Sequence, residues 1–224
     1  IGSASKRIIE KAKETAAELL ESAVSDIEFD KGAFKIVGTD RAIDFQSVAE
    51  TAAGDSSVAF DEKESFAPEE ATYPNGTHVC ELEIDMATGQ IKLVDYNVVD
   101  DFGKVINPLL LEGQVHGGIA QGLGQAMLEK CQYESGSGQL LSASFMDYTM
   151  PRADDFPAIE FKRNEVPCQT NPLGIKGAGE AGAIGAPPAI VNAIVNALSE
   201  IGVRHVDMPV SSNKLWEIMQ NVSN

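Results

Sequence analysis

The sequence predicts an α+β fold, mixed sheets with helices packed on them, divided into an N-terminal segment 1–72 and a larger region 73–224. Three patterns carry that expectation. Cys80, Leu82 and Ile84 alternate with Glu81, Glu83 and Asp85, the period-two signature of a half-buried strand. Val115, Ile119, Leu123 and Met127 recur every four residues, as the buried stripe of a helix does. The apolar run Ala189–Ile201 stops at Gly202, a helix terminator.

Taken in order, Ile8, Ala12, Ala16, Leu19 and Ala23 form the apolar stripe of an amphipathic helix over 4–24. Short strands are expected at Asp26–Phe29 and Phe34–Val37, turned by Asp30-Lys31-Gly32, with a short helix at Phe45–Ala53. The stretch 54–76 holds Pro68, Pro74 and the turn signal Asn75-Gly76, and reads as a linker or an extended arm. The acidic-faced strand from Thr77 then turns at Ala87-Thr88-Gly89 and returns over Ile91–Val99 as a hairpin. Asn107-Pro108 ends the extended part, and a glycine-rich helix covers 112–130. Further strands are expected at Gln139–Met146, closed by Asp147–Pro151, and at Ile159–Glu165. Pro187 and Pro188 suit the start of the last helix, whose amides would point back at a glycine-rich turn.

Composition narrows the function. Net charge is −17, from 34 acids against 17 bases, which argues against nucleic acid and against an anionic membrane surface. No apolar run approaches the roughly 20 residues of a membrane span, and the first 30 residues lack a signal peptide's apolar centre, so a soluble protein is expected. Cys80, Cys131 and Cys168 are odd in number and widely spaced, which points to a reducing, cytoplasmic setting rather than a disulfide framework. Three cysteines cannot hold an iron–sulfur cluster alone, and the scattered His78, His116 and His205 do not suit zinc. No residue is therefore expected to ligate a metal, and any metal would arrive inside a cofactor.

The chemistry concentrates in Pro172–Pro188, where Glu180 is the one acid in a run of glycine and alanine. Flanking Gly179 and Gly182 permit a tightly bent backbone with accessible amides, so Glu180 is a candidate general base beside a bound anionic group. The plainer alternative is an exposed turn that contains a glutamate. GAGEAG at 177–182 also satisfies G-x-G-x-x-G, but a turn precedes it where a strand is needed, and Pro187 and Pro188 argue against a helix starting at the glycines. In the 112–130 helix, Gly117, Gly118, Gly122 and Gly124 each cost about 0.5–1 kcal/mol relative to alanine. Either a ligand approaches the glycine face, with Gln121 and Gln125 offering amides, or another helix packs there closely.

Four segments in this order carry a specific resemblance: DFGKVINP at 101–108, EGQVHGGIAQGLGQAM at 112–127, FMDYTMP at 145–151 and NPLGIKGAGEAGAIGAPPAIVNAI at 171–194. The chain resembles the C-terminal half of the molybdopterin-binding subunit of the xanthine dehydrogenase/aldehyde oxidase family, in the branch that includes carbon monoxide dehydrogenase. The small residues Gly2–Ser5 are similar to a loop that precedes a helix in that family.

The resemblance implies a molybdenum–molybdopterin cofactor, in a plain or cytosine dinucleotide form. Enzymes of this kind hydroxylate an aldehyde, purine or N-heterocycle carbon, or oxidise carbon monoxide. Glu180 would be the general base. Amides around Lys176, Gly177, Ala178 and Gly179, and around Ser3, Ala4 and Ser5, would hold the cofactor, with Gln121 and the adjoining Gly122 at the pterin. Implied partners are the N-terminal half of the molybdenum subunit, a small-molecule substrate, and domains or subunits carrying FAD and [2Fe-2S]. Molybdenum subunits of the family are several times longer, so the isolated chain is expected to be inactive. A scaffold of the same fold that binds no metal is the competing expectation.

Overall fold

In the computed structural model, residues 1–54, 60–68 and 70–222 are described. They divide into two units, Ile1–Ala67 and Pro68–Asn224.

In the first unit, helix α1 runs over Gly2–Leu19 and buries Ala12, Ala16 and Ala17. It ends five residues earlier than its apolar spacing predicts. Glu21 turns left-handed (φ 49°), and Ser22 donates to the Ala17 carbonyl, which closes the helix before Ala23. Strands β1 (Ile27–Asp30), β2 (Ala33–Ile36) and β3 (Ala42–Asp44) form an antiparallel sheet in that order. The predicted turn between β1 and β2 puts Lys31 and Gly32 at positive φ, as a tight hairpin requires. Helix α2 (Phe45–Ala53) starts where Asp44 accepts from the Ser47 amide at 2.9 Å. Hydrogen bonds from the Ser47 hydroxyl and amide hold the Asp44 carboxyl below its usual range. Phe29, Phe34 and Phe45 cluster over this core, Phe29 and Phe34 at 4.9 Å between ring centres. Glu62 and Glu64 pair with Arg7 of α1, so this part of the 54–76 stretch is an arm along the helix. Residues 55–59 and 69 of that stretch lie outside the described residues.

The second unit is built on strands β4 (Asn75–Ile84), β5 (Ile91–Asp101) and β6 (Ile159–Arg163). β4 pairs antiparallel and β6 parallel with the central β5, so the sheet is mixed. Asn75-Gly76 opens β4 and forms no turn of its own. At the hairpin Asp85 accepts from the Ala87 amide and the Thr88 hydroxyl, and Gly89 takes φ 73°. Helix α3 spans Pro108–Leu123, capped by Asn107 with Pro108 in the first turn, and runs on into a π-helical turn at Gly124–Leu128. Helix α4 spans Ala181–Ala197, ends at left-handed Gly202 after a short 3-10 turn, and is followed by α5 (Ser212–Val222), which the sequence reading missed. Tyr96 and Val98 of β5, Val115 and Ile119 of α3, Ile190 and Ile194 of α4, and Leu215 of α5 share one core.

Two sequence expectations fail here. Gln139–Met146 forms no strand; a lone Tyr133–Leu140 bridge stands in its place. Ser144 accepts from the Met146 amide and bonds the Asp147 carboxylate, so side chains take over backbone partners and turn the chain. Pro187 and Pro188 lie within α4 rather than at its start. Each removes one helical hydrogen bond. Pro187 packs into α3, where a Cβ on Gly122 would meet its Cδ at 2.8 Å, so packing between helices offsets the loss. A helix therefore does follow the GAGEAG run. The dinucleotide reading still lacks its strand, because 164–180 holds only an isolated bridge, Gly103 with Ile175.

Candidate functional site

The segment leading to Glu180 is tied to the end of β5. Asp101 accepts from the Gly103 amide at 2.7 Å and the Val166 amide at 3.0 Å, and pairs with the Lys176 ammonium. Both side chains of the pair are only 11% exposed. Burial pushes the Asp101 pKa up, but the Lys176 hydrogen bond and the two amides outweigh it and hold the carboxyl below the usual 3.8. The Lys176 amide donates to the Phe102 carbonyl, and the Gly174 carbonyl accepts from Lys104 and Cys168. Gly103 must be glycine here, at φ 63°, since its Cβ would sit 2.1 Å from the Gly174 oxygen. Asn171 closes the bend, accepting from the Ile175 amide and donating to its carbonyl.

Beyond Lys176 the main chain opens. No heavy atom lies within 4 Å of where a Cβ on Gly177 or Gly179 would sit. Among the described residues, the amides of Gly177, Ala178, Gly179 and Glu180 donate to no protein acceptor. Glu180 then caps α4, whose first amides also lack helical partners. The result is a run of free N–H groups joined to the positive end of a helix, an arrangement suited to an anion. The Glu180 side chain is exposed, with no hydrogen bond or ion pair among the described residues.

Helix α3 flanks this loop. Gln114 donates to the Gly179 carbonyl at 2.8 Å and locks the two together. Gly113, Gln114, Gly117 and Gln121 fall within about 100° of helical arc and are all exposed, and Gly113 and Gly117 face open space. The opposite face meets α4. A Cβ on Gly118 would come within 2.9 Å of the Ala183 nitrogen, and one on Gly122 within 2.6 Å of the Ala186 Cβ. Gly124 is filled by Glu129 and Pro151. The packing explanation therefore holds for Gly118 and Gly122, while Gly113 and Gly117 border open space.

Lys176, Gly177, Ala178, Gly179, Glu180 and the helix bearing Gln121 come together in one unit. Lys176 has both its ammonium on Asp101 and its amide on the Phe102 carbonyl, so the free donors of the loop begin at Gly177. Gly122 is a correction, since it is buried under Ala186 and Pro187 and presents nothing to a ligand. Ser3, Ala4 and Ser5 lie in the first turn of α1 rather than in a loop before it, with the Ser5 amide donating to the Ile1 carbonyl. Gln114 and Asp101 were missed. The EGQ triplet ahead of Gly117-Gly118 and the Asp100-Asp101 pair closing an apolar strand were the available signals. A groove of about 1220 Å³ lies at the far end of the hairpin, lined by Glu83, Asp85, Asp154 and Asp155 among others, away from Glu180. Among the described residues no helix is long and apolar enough to cross a membrane.

Known proteins are similar to this chain in sequence and fold. A family model described as a molybdopterin cofactor-binding domain matches residues 1–157. The carbon monoxide dehydrogenase large chain of Hydrogenophaga pseudoflava is 33% identical over 226 residues, covering 98% of this chain and 28% of its own length. The 6-hydroxypseudooxynicotine dehydrogenase complex subunit gamma of Paenarthrobacter nicotinovorans is 33% identical, covering 96% and 28%. Among solved structures, a Cu,Mo-CO dehydrogenase superposes with a TM-score of 0.88 at 30% identity, over 97% of this chain and 28% of that one. Quinoline 2-oxidoreductase from Pseudomonas putida 86 gives 0.86 at 33% identity, over 98% and 29%. The chain spans about 28% of the length of the curated relatives it matches.

Proposed function

Because this chain belongs to the molybdopterin cofactor-binding domain family, we propose that it is the C-terminal cofactor-binding part of a molybdenum hydroxylase subunit, with Glu180 as its general base. The observation that carries this reading is the run of four free amides, Gly177 to Glu180, ending at the start of α4 and held by Asp101, Asn171 and Gln114. The residues present fit the group. Main chain bare of Cβ atoms at Gly113, Gly117, Gly177 and Gly179 leaves open space beside the free amides of 177–180. The amides of 177–180 and the side chain of Gln121 would hold the anionic and amide-like parts of the cofactor. When bound, that group supplies two-electron redox chemistry and a metal-activated oxygen.

This chain's own part is to hold and move a proton. Glu180 stands at the cap of α4 on main chain fixed from two sides, so its carboxylate starts from a defined position. Closing this face with the rest of the subunit would exclude water, and desolvation raises a carboxylate's proton affinity toward the neutral range where a general base works best. The remaining length of the relatives is the natural source of that cover, and of the substrate pocket. Partner domains or subunits bearing flavin and iron–sulfur groups would take the electrons, in keeping with relatives named as a large chain and a complex subunit.

The test is Glu180→Gln in the complete enzyme. Turnover should fall by about 10²- to 10⁴-fold, the usual worth of a general base, with molybdenum content unchanged. Wild-type turnover in that variant would remove the assignment. The exposure of Glu180 and Gln121 favours one alternative, a scaffold of the same fold that holds no metal. Metal analysis of the protein purified with its partners separates them, since a scaffold would carry no stoichiometric molybdenum.

A further inference from the structure

A buried polar row lies against helix α4 at Gly185, one helical turn beyond Glu180, and has no part in the site described so far. His78 of β4 stands opposite Val98 of β5, so Tyr96 and Asp100 are its diagonal neighbours on the same sheet face. Tyr96 is fully buried and Asp100 is 2% exposed. The Tyr96 hydroxyl lies 2.8 Å from His78 Nδ1, and His78 Nε2 lies 3.6 Å from Asp100 Oδ1. Burial, then the nearby Cys80 and Asp100 charges, push the Tyr96 pKa above its usual value, so the phenol keeps its proton. The Tyr96 hydroxyl and His78 Nδ1 share one hydrogen bond, which turns Nε2 toward Asp100.

Two glycines make room for the row. A Cβ on Gly76 would sit 1.7 Å from Asp100 Oδ1, and one on Gly185, inside α4, would lie 2.5–2.6 Å from three atoms of the His78 ring. Glycine inside a helix is disfavoured, so Gly185 signals that the imidazole must reach the α4 backbone. Asp100 Oδ2 is buried with no hydrogen-bond partner among the described residues, and Asp100, His78 and Gly185 border a hollow of about 130 Å³ together with Ala181, the neighbour of Glu180 in the chain.

We propose that His78 and Asp100 are positioning residues for Glu180: the Tyr96–His78–Asp100 row wedges α4 at Gly185 and sets the angle at which its first turn presents the carboxylate. The proposal rests on Glu180 acting as the base. α3 holds α4 from one side through Gly118 and Gly122, and the row holds it from the sheet side.

In the complete enzyme, Asp100→Asn and Gly185→Ala should each lower kcat about 10- to 100-fold, as an ångström-scale misplacement does, at unchanged KM and molybdenum content. Amide exchange in residues 181–185 should quicken in both. His78→Gln, which keeps a donor toward Asp100, should recover much of what His78→Ala loses. Normal kcat and exchange in both variants, with Glu180→Gln inactive, would overturn the positioning role and leave the base assignment standing. Loss of molybdenum in step with turnover, with no recovery in His78→Gln, would equally overturn it and reduce the row to a support of the fold. An active Glu180→Gln would instead overturn the base assignment itself.

Discussion

Asp101 gathers more of the site's geometry than any other side chain, since one carboxylate fixes the Gly103 turn, the Val166 strand exit and Lys176. Its partners hold it ionised below the usual carboxyl range. A depressed folded-state pKa stabilises above the unfolded value and is lost as pH falls through the folded one. Asp101→Asn should therefore cost about 3 kcal/mol in denaturant unfolding at pH 7, as breaking a buried pair does. The gap between wild type and variant should hold down to about pH 4 and narrow as pH drops below 3.8 toward the lower folded value. A constant gap through pH 3 would refute the ionised pair. Glu180 could be singled out from its isolation among glycines, but Asp101 could not, because its meaning lies in partners as distant in the chain as Val166 and Lys176.

Helix α3 presents two glycine faces with opposite consequences. Gly122→Ala places a methyl 2.6 Å from Ala186 Cβ and should cost about 1–3 kcal/mol by overpacking. Gly117→Ala meets open space on a helical backbone and should instead stabilise the fold by about 0.5–1 kcal/mol. If the open face receives the cofactor, Gly117→Ala should also reduce cofactor retained by the complete enzyme, measured as molybdenum per protein, which separates a ligand face from an idle one. The sequence shows the α3 glycines without showing which face each takes, since that depends on where α4 lies. The hairpin β4–β5 was legible because alternation is a local signal. The two prolines of α4 misled because a local penalty of about 3 kcal/mol was overridden by packing on α3. The serines of 142–147 broke a strand that apolar content suggested.

At the scale of the molecule, the second unit leaves large apolar side chains exposed. Leu110 and Ile184 are 70% and 68% exposed, and Phe145 and Met146 80% and 90%. A chain spanning about 28% of its relatives' length would leave such surfaces for the remaining length to cover. Limited proteolysis should cut 141–150 in the isolated chain and spare it in the complete enzyme; equal cutting in both would place the cover elsewhere. The α+β class and the family were legible in full, while the course of 131–158 was not, because its shape comes from turns rather than periodic burial. The tethers of the Gly174–Glu180 loop described above, among them Asp101, Phe102, Asn171 and Gln114, belong to this same unit, so the loop holds its form without a ligand. An arriving cofactor would spend none of its binding energy ordering these residues, and an enzyme stripped of it would keep that half of its socket ready for reloading.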